Sequence, residues 1–402
     1  MMKGLNKIFH FLGLQKNVMA LLGMVILVGL GERMAERFLP VYLMALGGGA
    51  LSVGLLNGLD NFLSALYAFP GGYLSDRLGY KRALVFFNLL AITGYVIVIV
   101  VPSWQAVILG SILFLSWSAI SLPASMDLIA KVLPMNQRTM GVSMHSLVRR
   151  IPMALGPVIG GALIEFYGTK SGIRLAFVGA LLMGVVSLVL QQAMIEAEHE
   201  GGGSNGSRAE KNPLRMLALM TPALGRLLVS DIMIRFCEQI PYAFVVIWCL
   251  HYAQVSPIQF GVLTTVEMIT AMLIYVPIAY LADRSSKKPF VVMTFFFFTF
   301  FPLLLLFSRS FGLLVFAFVL RGLKEFGEPT RKALIMDLAP EGKKAGMFGA
   351  YYLARDVIVS FAAFGGAFLW RVSPATNLIT AFCFGAVGTL FFFFFGRDHS
   401  AA

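Results

Sequence analysis

The stretch Tyr73-Leu74-Ser75-Asp76-Arg77 decides the architecture of this chain, because a copy of it occurs in the second half of the sequence. The copy reads Tyr280-Leu281-Ala282-Asp283-Arg284 and differs only at its third residue. Further pairs share this spacing to within one residue: Gly54 with Gly261, Pro70 with Pro277, Asp60 with Glu267, Glu32 with Glu238, and Arg149 with Arg355. The sequence therefore consists of two homologous halves, a plan that recurs among membrane transporters.

The composition places both halves in a membrane. Of the 402 residues, 58% are hydrophobic and 13% are charged, whereas a soluble domain carries about 25% charged residues. Apolar runs of about 20 residues, the length that crosses a bilayer as a helix, recur along nearly the whole chain. We predict an all-α integral membrane protein with twelve transmembrane helices, at residues 17–44, 50–74, 83–101, 105–132, 141–164, 174–194, 219–250, 258–281, 290–308, 312–338, 346–370 and 376–396.

Basic residues are concentrated in the connections on one side of these spans. With the N-terminus inside, the connections on the outer side carry only Lys170, Arg174, Arg309 and Arg371. Because loops rich in lysine and arginine stay in the cytoplasm, both termini are predicted to be cytoplasmic and the protein to be multi-pass in the plasma membrane. The net charge of +12 reflects this bias. The lipid bilayer is thus an expected partner, and nucleic acid is not.

A single polar segment interrupts the series of spans. Residues 196–215 lie between the sixth and seventh spans and contain Gly201-Gly202-Gly203-Ser204-Asn205-Gly206-Ser207. Glycine and serine give a flexible tether. We therefore predict an N-terminal six-helix bundle at 1–195, a cytoplasmic linker at 196–215 and a C-terminal six-helix bundle at 216–402.

Charged residues are distributed unevenly among the spans. The third, sixth, ninth and twelfth spans contain none between their ends, and the other eight spans all contain some. A charge facing hydrocarbon costs several kcal/mol, so charged side chains turn toward the bundle interior or a water-filled cavity. Every third helix is therefore predicted to face lipid, and the others to surround a polar path.

The segment Gly72–Leu84, which follows the second span, resembles the signature loop of the major facilitator superfamily. Tyr80 stands where that family usually has a basic residue. The resemblance implies two pseudo-symmetric six-helix bundles that work by alternating access. It assigns a conformational switch to Gly72, Asp76, Arg77, Gly79, Lys81 and Arg82, and to Asp283 and Arg284 in the copy. Asp76 would stabilise the N-terminus of the eleventh helix while the cytoplasmic side is closed.

A second motif lies in the fifth span, where Gly156, Pro157, Gly160 and Gly161 resemble a pattern found in exporting antiporters of that superfamily. Ser143 and Pro152 replace the earlier glycines of the pattern. The motif favours export. A kink that only permits tight helix packing is an equally good interpretation.

Ionisable residues near the middle of the spans are the candidates for a transport site. Asp60 and Glu267 are single acids on otherwise apolar spans and are the first choice for proton coupling, with Glu32 and Glu238 next. The candidates for the substrate cavity are Arg149, Arg235, Arg321, Arg355, Asp231, Glu36 and Glu325. Arginine stays charged and suits a carboxylate or phosphate, or neutralises nearby acids. Ion pairs that only hold helices together are the alternative for about half of these residues.

Other chemistry is not indicated. The sequence has no phosphate-binding loop for ATP and no histidine or cysteine cluster with metal-ligand spacing, so we expect no cofactor, no metal and no enzyme activity. The leading interpretation is a monomeric, proton-coupled exporter of a small polar or charged organic solute. The alternatives are an uptake symporter of an organic anion, a lysophospholipid flippase, and a transporter-like receptor or sensor.

Overall fold

The computed structural model describes residues 16–114, 125, 128, 145, 148–195, 213–282, 286–340 and 344–398. Within these ranges the regular structure is entirely helical. The first seven helices are α1 Lys16–Glu36, α2 Leu39–Ala45, α3 Ala50–Leu78, α4 Tyr80–Val100, α5 Trp104–Phe114, α6 Arg150–Tyr167 and α7 Thr169–Met194. The others are α8 Pro213–Ala218, α9 Pro222–Tyr242, α10 Val245–Ile247, α11 Pro257–Ala282, α12 Lys288–Phe307, α13 Phe311–Leu323, α14 Glu328–Leu338, α15 Lys344–Val372 and α16 Pro374–Phe395, and a π-helical turn at Trp248–Tyr252 follows α10.

Each of the twelve predicted spans coincides with a helix or an interrupted helix over the residues that the structure describes. Within the described ranges, six helices are long and apolar enough to cross a membrane: α4, α7, α11, α12, α15 and α16. A seventh span results if α9 and the following segment Val245–Tyr252, bent by 44°, are counted as one. The helix α5 is apolar but shorter.

In the part of the chain that the structure describes, three spans are interrupted near a proline. Pro40 lies at the start of α2, Pro241 lies in the last turn of α9, and Pro329 lies in the first turn of α14. Proline has no N–H for the helical ladder and disfavours the helical conformation for the residue before it. The second interruption is followed by the π-helical turn, and the third separates α13 from α14 near the middle of the tenth span.

The chain divides into two compact units. The N-terminal unit comprises Met1–Gly49, Leu66–Gly202 and Ser256–Thr265, and the C-terminal unit comprises Ala50–Ala65, Gly203–Val255 and Val266–Ala402. Two helices, α3 and α11, therefore contribute residues to both units.

An aromatic cluster forms the centre of the N-terminal unit. Phe177 of α7 contacts Tyr42, Tyr95 and Phe114, with ring centroids 5.5–6.3 Å apart, and each of these side chains is at most 2% exposed. Edge-to-face and tilted contacts of this kind are the favoured aromatic geometry. The cluster joins α2, α4, α5 and α7.

The C-terminal unit has a larger apolar core between α9, α12, α14, α15 and α16. Its buried members include Leu227, Phe295, Leu334, Tyr351 and Phe392. Thr221, Ser310 and Ser373 cap the N-termini of α9, α13 and α16 through their side-chain oxygens, which satisfies backbone donors that a helix leaves unpaired.

Candidate functional site

A fully buried carboxylate, Asp231 of α9, is the centre of a charged cluster in the C-terminal unit. Arg331 of α14 donates to its Oδ1. Arg355 Nη1 and Tyr351 Oη, both from α15, donate to its Oδ2 at 3.2 and 3.1 Å. The sequence placed Arg235 one turn from Asp231, but its Nε lies 3.9 Å from Oδ1, so Arg235 is the more distant partner.

The same arginines are held by further acids. Arg331 Nη2 donates to both carboxylate oxygens of Glu328, at 2.7 and 2.8 Å. Arg355 Nε donates to Asp356, the next residue in the chain, at 2.7 Å. Because taking an ion out of water costs several kcal/mol, each buried charge here needs its partners.

A second group of charges joins α9, α11 and α13. Glu238 receives a hydrogen bond from Arg235 at 2.6 Å and one from Lys324 Nζ at 3.0 Å. Glu267 Oε1 lies 3.2 Å from the same Lys324 Nζ and 3.3 Å from Arg321 Nε. Lys324 is therefore shared by two carboxylates that come from different helices.

Aromatic rings cover the cations of this second group. The guanidinium carbon of Arg321 lies 4.9–5.7 Å from the ring centroids of Phe301, Phe318 and Tyr242. The guanidinium carbon of Arg235 lies 5.3 Å from the ring centroid of Phe298, and Lys324 Nζ lies 5.8 Å from it. Cation–π contacts of this kind gain strength when they are shielded from water.

A narrow pocket opens beside this group. Its lining includes Cys237, Glu238, Phe298, Arg321 and Lys324. Its free volume of ≈ 10 Å³ is about what one water molecule requires. Glu267, with a side chain only 1% exposed, is not among the lining residues and reaches the pocket through Arg321 and Lys324.

The N-terminal unit carries a smaller set of charges. Arg33 Nη1 donates to Glu36 at 2.7 Å within α1. Glu32 is buried, and Arg149, which precedes α6, is close enough to interact electrostatically with both Glu32 and Arg33. The predicted candidates Glu32, Glu36 and Arg149 thus lie together in one unit.

The remaining candidates are placed as follows. Asp60 is partly buried on α3, and Glu325 lies in the turn between α13 and α14. Gly79 separates α3 from α4 with a φ of 75°, a backbone conformation that glycine adopts without strain. Lys81 Nζ donates to the backbone oxygen of Gln192 at 3.2 Å. Arg82 is exposed.

The side chains of the rest of the predicted switch are not described. Gly72, Asp76 and Arg77 belong to the last turns of α3, and nothing is assigned to their side chains. Asp283 and Arg284 follow the end of α11 and fall in an undescribed segment.

The glycines of the Gly-Pro motif are positions of close helix contact. A Cβ on Gly156 would overlap Arg33 of α1, one on Gly160 would overlap Met34 of α1, and one on Gly161 would overlap the backbone of Pro257 in α11. In the same unit a Cβ on Gly261 of α11 would lie 2.5 Å from the oxygen of Pro157. The motif therefore has a direct packing role against two helices.

Several members of the cluster were not among the predicted site residues. Lys324, Glu328, Arg331 and Tyr351 all contact predicted candidates. Arg331 is 1% exposed. A charge inside the apolar tenth span was the available signal, since buried ionisable groups in a membrane bundle need partners.

Comparisons of sequence identify the family. The family model of the Major Facilitator Superfamily matches residues 21–252 and again residues 227–402. An uncharacterized MFS-type transporter of Methanocaldococcus jannaschii is 22% identical over 372 residues, which cover 91% of both chains. The quinolone resistance protein NorA of Staphylococcus aureus is 24% identical over 220 residues, 54% of this chain and 55% of NorA.

Comparisons of structure give the same fold. A peptide transporter POT in complex with sulfate superposes with a TM-score of 0.76 at 15% identity, over 94% of this chain and 93% of that one. A human organic anion transporter gives a TM-score of 0.65 at 16% identity, over 94% and 98%. The chain belongs to the Major Facilitator Superfamily. It is a multi-pass membrane transporter with the twelve-helix fold of that superfamily.

Proposed function

We propose that this transporter exports a small polar or charged organic solute in exchange for protons, as a monomer in the bacterial inner membrane with both termini in the cytoplasm. The observation that carries the proposal is the group formed by Glu238, Glu267, Arg321 and Lys324 beside a pocket in the C-terminal unit. It places one buried carboxylate, Glu267, and one partly buried carboxylate, Glu238, next to a pocket lined by two cations, and carboxylates are groups that can take up and release protons.

Glu267 can be either protonated or ion-paired with Arg321 and Lys324, but not both at once. A proton taken from water by the Glu267 carboxylate cancels the charge that attracts Arg321 and Lys324. Loss of that charge changes the electrostatics of the pocket that both cations line. Return of the proton to water restores both pairs, which gives a cycle without any covalent step.

Export is supported by two separate observations. NorA, which is named for quinolone resistance, is a relative over about half of its length, and the Gly-Pro motif in α6 resembles the motif of exporting antiporters. A quinolone is therefore the first probe for transport.

The test uses purified protein in proteoliposomes and a radiolabelled quinolone. An antiporter accumulates the quinolone when the lumen is acidic, beyond the level in protein-free liposomes. The variant Glu267→Gln should lose this accumulation and retain counterflow at equal pH. Accumulation by Glu267→Gln equal to wild type would exclude Glu267 as the proton site. Asp60, Glu32 and Glu238 would then be tested in turn.

A proton-coupled uptake symporter of an organic anion is the second candidate. The pocket is lined by two cations, Arg321 and Lys324, and by one carboxylate, Glu238. This excess of positive charge favours binding of an anion. The same vesicles distinguish the two functions, because a symporter accumulates its solute when the outside is acidic. A labelled organic anion that accumulates only under that gradient would contradict export.

The switch in the signature loop is part of the proposal. Asp76→Asn should give folded protein that has lost most of its transport, because the resemblance to the signature loop assigns the conformational switch to this carboxylate. Asp283→Asn should be milder, since the copy of the motif is degenerate. Wild-type transport by Asp76→Asn would remove this role.

A further inference from the structure

Lys324 occupies an unusual place in the backbone. It follows α13 at the break of the tenth span, and α14 begins only at Glu328. Within the break the backbone N–H groups of Lys324, Glu325 and Phe326 bond three residues back, at 2.9–3.3 Å, so the regular helical ladder is interrupted. Broken helices of this kind often carry the binding and coupling groups of transporters.

The break is fixed from its far side. Gly327 N–H donates to Thr294 Oγ1 of α12 at 2.5 Å, and a Cβ on Gly327 would lie 2.5 Å from the oxygen of Phe290. The following Pro329 lies in the first turn of α14. Because the end of the break is anchored, the long Lys324 side chain is the part that can follow a change of charge.

The two carboxylates around Lys324 differ in their access to the pocket. Glu238 lines the pocket and Glu267 lies behind it. Each also has its own arginine, Arg235 for Glu238 and Arg321 for Glu267. Lys324 is the cation common to both, at 3.0 Å from Glu238 and 3.2 Å from Glu267.

We infer that Lys324 is a positioning residue that transmits the protonation of Glu267 to the pocket that Glu238 lines. When Glu267 carries a proton, Lys324 is drawn fully to Glu238, and the carboxylate that lines the pocket is neutralised. When Glu267 releases the proton to water, Lys324 is divided between the two acids and Glu238 regains negative charge toward the pocket. This inference rests on the proposed proton coupling and adds the residue through which it acts.

Charged groups from several elements surround this arrangement, and Glu328 of α14 adds an ion pair with Arg235 at 3.5 Å. Arg235 and Glu238 come from α9, Glu267 comes from α11, and Arg321, Lys324 and Glu325 come from α13 and the break. The helix α12 contributes the rings of Phe297 and Phe298, which do not titrate. Among the described residues, Lys324 is therefore the only cation with an ion pair to both Glu238 and Glu267.

The test measures quinolone affinity as a function of pH in wild type, Glu267→Gln, Lys324→Gln and the double variant. Each carboxylate keeps its own arginine in Lys324→Gln, so the variant should fold, which thermal unfolding in detergent checks. Wild-type affinity should vary with pH by roughly 5- to 150-fold, the range typical of coupled sites. Both single variants should flatten this profile, and the double variant should add nothing further, because the two residues act in one chain of contacts.

Two further variants separate positioning from general structure. Lys324→Arg keeps the cation and should restore much of the pH dependence. Lys332→Gln removes a lysine of the same span that is 49% exposed and should leave the profile unchanged. A wild-type profile in Lys324→Gln would overturn the inference, as would additive effects of the two single variants or the absence of rescue by arginine. A wild type whose affinity is independent of pH would instead overturn the proton coupling itself, and this role with it.

Discussion

At the scale of single residues, the charged cluster shows why so many ionisable groups are tolerated inside an apolar chain. Asp231 is fully buried and has three cationic partners, and each of these partners has a second acid. Because acidic and basic side chains alternate, each member in the described part of the cluster has a counter-charge. Such a cluster holds the helices in register and is costly to break at one point.

Asp231→Asn should therefore lower the free energy of unfolding by about 3–5 kcal/mol, because two buried arginines lose a shared counter-charge. Asp356→Asn is the matched control. It also contacts Arg355, but its side chain is 30% exposed, so its removal should cost less than about 1 kcal/mol. Thermal unfolding in detergent measures both variants, and equal shifts would contradict the assignment of Asp231 as the centre of the cluster.

The repeat-related arginines Arg149 and Arg355 allow a test of substrate charge. Arg355 uses two different nitrogens for Asp231 and Asp356, which one ammonium group cannot reproduce. If these arginines neutralise acids, as the contacts of Arg355 indicate, Arg355→Lys should reduce stability and leave quinolone affinity unchanged. Arg149→Lys should also leave affinity unchanged. A loss of affinity of about tenfold or more in either lysine variant would favour an anionic substrate group held by arginine.

At the scale of helices, the duplicated glycine makes the same kind of contact in both copies. A Cβ on Gly261 would meet Pro157 and Val158 of α6, and a Cβ on Gly54 would meet Phe364 and Ala367 of α15. The contact of α11 with α6 is reinforced by Thr265, whose hydroxyl donates to the oxygen of Ala154 at 2.6 Å. Small residues permit this backbone approach, which drives helix association in lipid.

Gly261→Ala should destabilise the protein by about 1–3 kcal/mol, the usual cost of overpacking a tight contact. Gly365→Ala on α15 is the control, since a Cβ there has no atom within 4 Å. We expect Gly365→Ala to be neutral or slightly stabilising, because alanine favours the helix. Unfolding temperatures that are equal in the two variants would show that the contact between α6 and α11 is looser than the structure indicates.

At the scale of the whole molecule, orientation is the property that the positive-inside pattern predicts and that labelling can measure. The native cysteines Cys237, Cys249 and Cys383 are first replaced. Ser204→Cys in the linker should react with a membrane-impermeant maleimide only in inverted vesicles, and Lys170→Cys should react in intact cells. The opposite pattern would place both termini outside.

The sequence by itself determined the class of protein, the twelve spans, the duplication and which helices carry charge. These properties follow from hydropathy and from short motifs, which are local and survive without knowledge of packing. The family match and the helix bounds confirm them. The interruption of the tenth span was not predicted, although Pro329 and Gly327 were visible as helix-breaking residues.

The pairing of the charges was decided only by the tertiary structure. The paired residues are far apart in the sequence. Glu238 and Lys324 are separated by 86 residues, Asp231 and Arg331 by 100, and Asp231 and Arg355 by 124. Glu267 is a single acid on its own helix, and its partners Arg321 and Lys324 come from α13 and from the break that follows it. Hydropathy gives the depth of a side chain in the membrane but not its rotation about the helix axis, and that rotation, set by packing against neighbouring helices, selects the partner of each charge.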